Sequence, residues 1–281
     1  MYLVEQTRPA RKPANGRKAT GPAPGGKAVC GKTGFYDKAA FCEKAAFYEK
    51  AWYQVGRSLM AAYTRLLLDM DIQRQAPLPG GPKILAPNHP TTTDPLYLLP
   101  LFSEPVSFLV TAASFDVPVV GSYLRAAGHV PAVRGSGGAT VEAMVRQVAS
   151  GRSVAIFPEG ALSPLAGGLH RPHSGVARVA LRTGAPVIPI GIGLLRARLR
   201  VIKANVDGGQ ATGHFYLTGP YAITVGRPLT FAGDVEDRKR VRAVAGQIMH
   251  HICDLARQSE RRLARTPVAA PQPGASLVEA L

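Results

Sequence analysis

From residue 35 to residue 70 the apolar side chains recur at helical spacing. Phe41, Ala45, Tyr48, Trp52, Val55, Leu59, Ala62, Leu66 and Met70 fall on one side of what reads as a single long helix. It opens on a short internal repeat, YDKAAF, CEKAAF, YEKAWY, over residues 36–53. Lys44, Lys50, Arg57 and Arg65 lie mostly off the stripe. Aromatic rings bordered by cations suit a membrane interface, and packing on the core of a domain suits the same stripe; one helix can do both along its length. Proline and glycine then break the pattern at residues 77–82.

Beyond that break the pattern alternates. Short apolar runs at 83–86, 106–110, 129–133, 153–157 and 186–192 read as buried strands. Between them, 95–101, 119–127, 139–149 and 175–183 read as helices, the last with Gly184 placed as its C-cap. Residues 215–218 and 222–225 read as strands around Gly219-Pro220, and 235–262 as an amphipathic helix presenting Val241, Val244, Ile248, Ile252 and Leu255 on one side. Strands alternating with helices predict an α/β fold: a mixed, largely parallel sheet flanked by helices, behind an N-terminal amphipathic helical element. The corresponding segments are a helical element at 35–76 and an α/β domain at 77–263. The ends, 1–34 and 264–281, are rich in Pro, Ala or basic residues and are predicted to be disordered.

Charge adds a constraint on partners. The 281 residues carry a formal net charge of +16. So basic a chain calls for an anionic partner, whether nucleic acid, an acidic membrane surface or a phosphorylated substrate. Basic nucleic-acid binders interleave aromatics with their charges, whereas here the aromatics concentrate at 35–63, which argues against nucleic acid. Cys30, Cys42 and Cys253 are odd in number and widely spaced, which speaks against a disulfide framework or a zinc site and for a reducing compartment. No apolar run long enough for an ordinary transmembrane helix occurs, and no secretory signal opens the chain, so membrane association is expected to be peripheral or monotopic.

Three polar clusters fall where predicted strands end, the place where ligands gather in open α/β sheets: Asn88-His89-Pro90-Thr91-Thr92-Thr93-Asp94, then Arg134, then Pro158-Glu159-Gly160. A carboxylate five residues after a histidine can fold back onto one ring nitrogen, fix the tautomer and leave the other nitrogen as a base. The plainer alternative makes His89 a loop residue and Asp94 a cap for the next helix. Phe157-Pro158-Glu159-Gly160 ends a strand abruptly, presents a carboxylate and follows it with a residue that lets a ligand approach closely. The motifs of other chemistries are missing: no GxxxxGK[ST], no HExxH, no GxSxG. Arg196, Arg198 and Arg200 alternate, and on a strand they would share one face, as a solvated edge or a lipid-headgroup patch.

Taken in order, NHPTTTDP, GHVPAVR, FPEGALSP and APVIPIGI resemble the four sequence blocks of the glycerolipid acyltransferases, the family that includes the lysophosphatidic acid acyltransferases. The resemblance spans residues 83–192 and continues more weakly to Pro228. It implies an acyl transfer with His89 as general base and Asp94 as its orienting partner. It also implies that Arg134, Glu159 and Gly160 hold the acceptor, and that Pro189 shapes the acyl-donor or core side. The implied partners are a lysophospholipid acceptor, acyl-CoA or acyl carrier protein as donor substrate, and the cytoplasmic face of an anionic membrane, with no metal or bound cofactor. Two departures bear on the acceptor. The third block of the family often reads FPEGTRS, and here Ala161-Leu162-Ser163 lacks that arginine. The segment before the second block often carries a lysine, and here it reads Thr111-Ala112-Ala113-Ser114. Arg171 and His173 are the candidate substitutes for these cations. Another lipid acceptor, taking the acyl group on oxygen or nitrogen, and a non-catalytic basic membrane-binding protein on the same scaffold stand as the alternatives.

Overall fold

A computed structural model of the chain describes Leu3–Val4 and residues 38–133, 135–206 and 209–265. Along the chain these form β1 (Leu3–Val4), α1 (Lys38–Leu67), β2 (Leu68–Arg74), β3 (Ile84–Pro87), α2 (Asp94–Leu98), β4 (Val106–Thr111), α3 (Val120–Ala126) and β5 (Val130–Ala132). Then come α4 (Gly137–Ala149), β6 (Ser153–Ala155), α5 (Gly175–Thr183), β7 (Val187–Leu194), β8 (Arg200–Val206), β9 (Gly209–Phe215), β10 (Gly219–Val225) and α6 (Arg238–Arg265). Seven strands make the central sheet in the order β2-β10-β7-β3-β6-β4-β5. Every pairing in it is parallel except β10 with β7. A second sheet of β1, β9 and β8 is antiparallel.

The register explains why the strands are apolar throughout. Ile84 lies beside Val154 and Val187, and all three enter one core cluster with residues of α4, α5 and α6. Leu85 lies beside Ala155 and Ile188, and these enter the opposite cluster, where α1 contributes Tyr53 and α2 contributes Tyr97. Successive side chains point to opposite faces, and both faces are covered, so a buried strand such as VIPIGIGL needs apolar residues at nearly every position. Helix α6 crosses β7 at contact distance: a Cβ on Gly191 would stand 2.1 Å from the backbone nitrogen of Ala256. Ser259 closes the same contact by donating to the Gly191 carbonyl at 2.9 Å.

Four details differ from the sequence reading. The helix does not run to residue 70. It stops at Leu67, and Leu68–Arg74 form β2, parallel to β10 in register Leu68↔Gly219 to Arg74↔Val225. The helical element assigned to 35–76 therefore ends in a strand of the α/β domain itself. Arg196–Arg198 form a 3-10 turn and only Arg200 lies in β8, so the three arginines do not alternate along one strand. The strand before Gly219 is Gly209–Phe215, longer and earlier than expected. The predicted disordered ends lie outside the described residues, except that Leu3–Val4 pair with Thr212 and Ala211, and α6 continues to Arg265.

From residue 51 onward, where the side chains of α1 are described, Tyr53 and Thr64 are buried, while Trp52, Val55, Leu59 and Leu66 on the apolar stripe are exposed, Leu66 at 80%. No described helix is long and apolar enough to cross a membrane.

Candidate active site

The loop after β3 carries a dense hydrogen-bond network. Asn88 begins it by taking the place of a strand residue: its side-chain amide donates to the Ile192 carbonyl at 3.0 Å and its Oδ1 accepts the Ile192 N–H at 2.7 Å. This satisfies the backbone of β7 where β3 has ended. His89 follows, wholly buried, with its ring stacked on Phe157 at a centroid distance of 4.0 Å.

Asp94 is also wholly buried, and both its oxygens are engaged. Oδ2 lies 3.0 Å from His89 Nδ1 and accepts the Thr91 N–H at 2.8 Å. Oδ1 accepts the Thr91 hydroxyl at 2.5 Å and the Tyr221 hydroxyl at 2.7 Å. Burial first, and then the adjacent Asp94 charge, hold the Tyr221 phenol well above its usual pKa, so it stays protonated and donates. The N-cap of α2 is Thr93, which makes no side-chain cap bond, so the Asp94 carboxylate serves the loop rather than the helix end. A carboxylate only accepts, so the contact with Asp94 Oδ2 places a proton on His89 Nδ1.

Glu159 comes to the same loop from β6. Its Oε1 accepts the His89 N–H at 3.0 Å and the Ser163 hydroxyl at 2.6 Å, and its Oε2 accepts the His170 N–H at 2.9 Å. Ser163 completes a reciprocal clamp: its N–H donates to the His89 carbonyl at 2.7 Å and its hydroxyl oxygen lies 3.2 Å from the His89 N–H. These contacts place Glu159 beneath His89 as a fastening of the backbone rather than at a substrate surface.

Strand β9 closes the loop from another side. Thr92 donates its N–H to the His214 carbonyl at 2.7 Å, and the His214 N–H donates to Thr92 Oγ1 at 3.0 Å. The His214 imidazole is held below its ordinary pKa, chiefly by burial, with the nearby His89 acting in the same direction. Sequence reasoning passed over Asn88, Ser163, His214 and Tyr221. Asn88 and Ser163 stood inside the blocks NHPTTTDP and FPEGALSP without an assigned role, and His214 and Tyr221 stood outside every block.

Gly160 adopts φ +62, a left-handed conformation that glycine accepts without strain, and a Cβ there would stand 2.6 Å from the His173 ring. Both residues line an open cavity of about 950 Å³, together with Gly137 of α4 and Arg178 and Arg182 of α5. Arg171 is exposed in the same loop and does not line this cavity. Leu162, where the family often has arginine, is buried. Pro189 lies inside β7, paired with Ala86. Arg134 lies outside the described residues. The site thus brings His89, Asp94 and Glu159 into one hydrogen-bonded unit, with Gly160 and His173 on an adjoining cavity. The His89 ring has no exposure, where the sequence reading expected an open cleft. Among the described residues, no group of three or more His, Cys, Asp or Glu side chains is placed to hold a metal ion.

The family model described as Acyltransferase matches residues 69–193, which contain the whole of this hydrogen-bonded unit except Tyr221 and His214. In three dimensions the chain is similar to the crystal structure of the 1-acyl-sn-glycerophosphate (LPA) acyltransferase PlsC from Thermotoga maritima. The TM-score is 0.54 at 18% sequence identity, covering 83% of this chain and 86% of that one, which establishes a common fold. The site is built on β3, β6 and the loops that follow them, and the acyltransferase family model lies across those same elements.

Proposed function

We propose that the enzyme transfers a fatty acyl group from acyl-CoA or acyl carrier protein to a hydroxyl of lysophosphatidic acid, in phospholipid synthesis. The observation that carries this reading is the buried His89–Asp94 pair, held at 3.0 Å with Nδ1 committed to the carboxylate. His89 Nε2 takes the proton of the acceptor hydroxyl, and the oxygen attacks the thioester carbonyl. The tetrahedral intermediate then expels the thiolate, which recovers the proton from His89. Asp94 stabilises the imidazolium that exists between the two transfers. Glu159 acts in this scheme as a positioning residue, since its three accepted hydrogen bonds hold the backbone of His89. Arg134, Gly160, Arg171 and His173 are the residues assigned to the acceptor, with Gly160 and His173 on the cavity beside the loop. No bound cofactor enters the scheme.

The enzyme works at the cytoplasmic face of an anionic membrane, as a peripheral or monotopic protein. What supports this is the outward stripe of α1, with Trp52, Val55, Leu59 and Leu66 exposed on a chain of net charge +16.

The buried Leu162 supports a second reading in which the acceptor is less charged than lysophosphatidic acid. Purified protein incubated with acyl-CoA and either lysophosphatidic acid or an uncharged monoacylglycerol separates the two, read by mass spectrometry of the lipid and by thiol release. Diacylated phosphatidic acid formed in step with thiol supports the first reading. Preference for the monoacylglycerol supports the second, and thiol release without an acylated lipid contradicts both.

A further inference from the structure

The turn before α3 breaks the rule that surface loops are polar. Asp116, Val117, Pro118, Val119 and Val120 are exposed in succession, Val119 at 82%. Four consecutive exposed apolar residues are a fault in a soluble surface unless they meet a partner. The backbone adds a second anomaly. Val119 has φ 65 and ψ −53, and the Val120 N–H donates to the Pro118 carbonyl at 2.7 Å. That is a γ-turn of the strained hand, with a β-branched residue at its centre. The surroundings enforce it. The Gly121 N–H donates to the Val117 carbonyl at 2.8 Å, and a Cβ on Gly121 would lie 1.9 Å from the Phe115 carbonyl oxygen. Strain of this kind is retained where the structure around it fixes it, and its common use is functional.

The turn sits beside the apolar stripe of α1. Helix α3 packs on α1 at Gly56, where a Cβ would stand 1.9 Å from the Tyr123 hydroxyl. Val119 precedes Tyr123 by one helical turn, and the Tyr123 N–H bonds the Val119 carbonyl at 2.9 Å. On α1, Trp52, Val55 and Leu59 occupy the strip next to Gly56 that faces away from buried Tyr53. The exposed turn and the exposed stripe therefore border one another. Arg125 on α3 and Arg65 on α1 are exposed, and Asp116 is the acid within the turn.

We infer that Val117–Val120 is a membrane-inserting wedge, which enters the bilayer beside α1 and fixes how the domain is tilted on the lipid surface. The inference rests on the lipid-surface reading given above. A bilayer with anionic lipid is favoured over a second copy of the chain because the protein carries a net charge of +16 and exposes Arg65 and Arg125 beside this surface, so an anionic surface attracts it where a second copy is repelled. Holding the turn in a strained form keeps three valines outward in water, ready for lipid.

Trp52 is the only tryptophan, which makes the test direct. In a Trp52→Phe background, Val119→Trp places a single reporter on the turn. With phosphatidylglycerol-containing vesicles whose acyl chains are brominated, the reporter should shift to the blue and be quenched, as should Trp52 in the wild-type protein. Quenching of Trp52 without quenching at position 119 would overturn the inference, and so would quenching of neither. Val119→Gly should raise the unfolding midpoint by relieving the turn and still weaken vesicle partitioning; a turn with only a structural role would show the first change alone. Val119→Asp should weaken partitioning by roughly tenfold or more, with transfer between short-chain, water-soluble substrates unchanged. A vesicle-free dimer that Val119→Asp dissociates would identify a second copy as the occupant and overturn the wedge. Absence of transfer in the wild-type protein would remove the acyltransfer reading and leave the quenching result to stand by itself.

Discussion

Asp94→Asn separates the two tasks assigned to Asp94, which are to orient the His89 ring and to stabilise its charged form. The amide oxygen has one good position. The Thr91 N–H can only donate, so the oxygen must stay where Oδ2 stands, 2.8 Å from that nitrogen. The amide NH₂ then takes the Oδ1 position, between the Thr91 and Tyr221 hydroxyls, and hydroxyls can turn to accept. The Thr91 hydroxyl has Thr93 Oγ1 at 3.0 Å as another partner, while Tyr221 is left with a buried O–H that has lost its acceptor. Stability should fall by about 1–3 kcal/mol, the range for one unsatisfied buried donor. For a domain of this size that is about 2–12 °C in the unfolding midpoint. The amide oxygen still faces Nδ1, so the tautomer survives and only the charge is lost. A unit charge near an imidazolium at about 4 Å and an effective dielectric constant near 20 is worth about 4 kcal/mol, or roughly a thousandfold in kcat. Steady-state acyl transfer with both substrates varied, beside a thermal melt of the same sample, measures both quantities. A folded Asp94→Asn protein within tenfold of wild-type kcat would refute the role given to the carboxylate.

Glu159→Gln replaces one accepting oxygen by an NH₂ that must face a donor, either His170 N–H or His89 N–H. Transfer should drop by about tenfold or more with a lowered melting temperature, and an unchanged melt with normal kcat would show that the clamp is idle. Gly191→Ala should leave little folded protein, because the added carbon would meet the α6 backbone at 2.1 Å; soluble material with a wild-type melt would contradict the α6–β7 packing. His129 is buried and its ring accepts the Phe108 N–H at Nδ1, 3.1 Å away. Burial, then the charge of Arg152, lower its pKa to about 4 from 6.5. The unfolded chain therefore binds the proton first, and stability should be full above pH ~6.5 and fall as pH drops from ~6.5 to ~4, by about 3 kcal/mol. His129→Gln should flatten that part of the pH–stability curve, and an unchanged slope would dismiss His129 as its source.

The α/β alternation was legible because each central strand is buried on both faces and so is apolar throughout, from Ile84–Pro87 to Val187–Leu194. β2 was misread for a reason that can be stated. Leu68, Met70 and Ile72 alternate with Asp69, Asp71 and Gln73, which is the signature of a strand. Leu59, Ala62, Leu66 and Met70 also keep helical spacing, so the helical pattern carries through the boundary at Leu67. In the site, His89 and Asp94 were legible because both lie in one short segment. Tyr221 lies 127 residues from Asp94 and His214 122 residues from Thr92, and no local pattern announces contacts that only the sheet brings together. Glu159 was found by its position after a strand, but whether a carboxylate there faces substrate or holds backbone is decided by Ser163 and His170, which the spacing of the block does not reveal.

The central claim is that His89 is the base for acyl transfer. Single-turnover transfer of a labelled acyl group from acyl-CoA to lysophosphatidic acid, comparing wild type with His89→Ala of verified melting temperature, tests it most directly. The account predicts a loss of about a hundredfold or more, with vesicle binding retained; transfer at near the wild-type rate by the folded variant would contradict it.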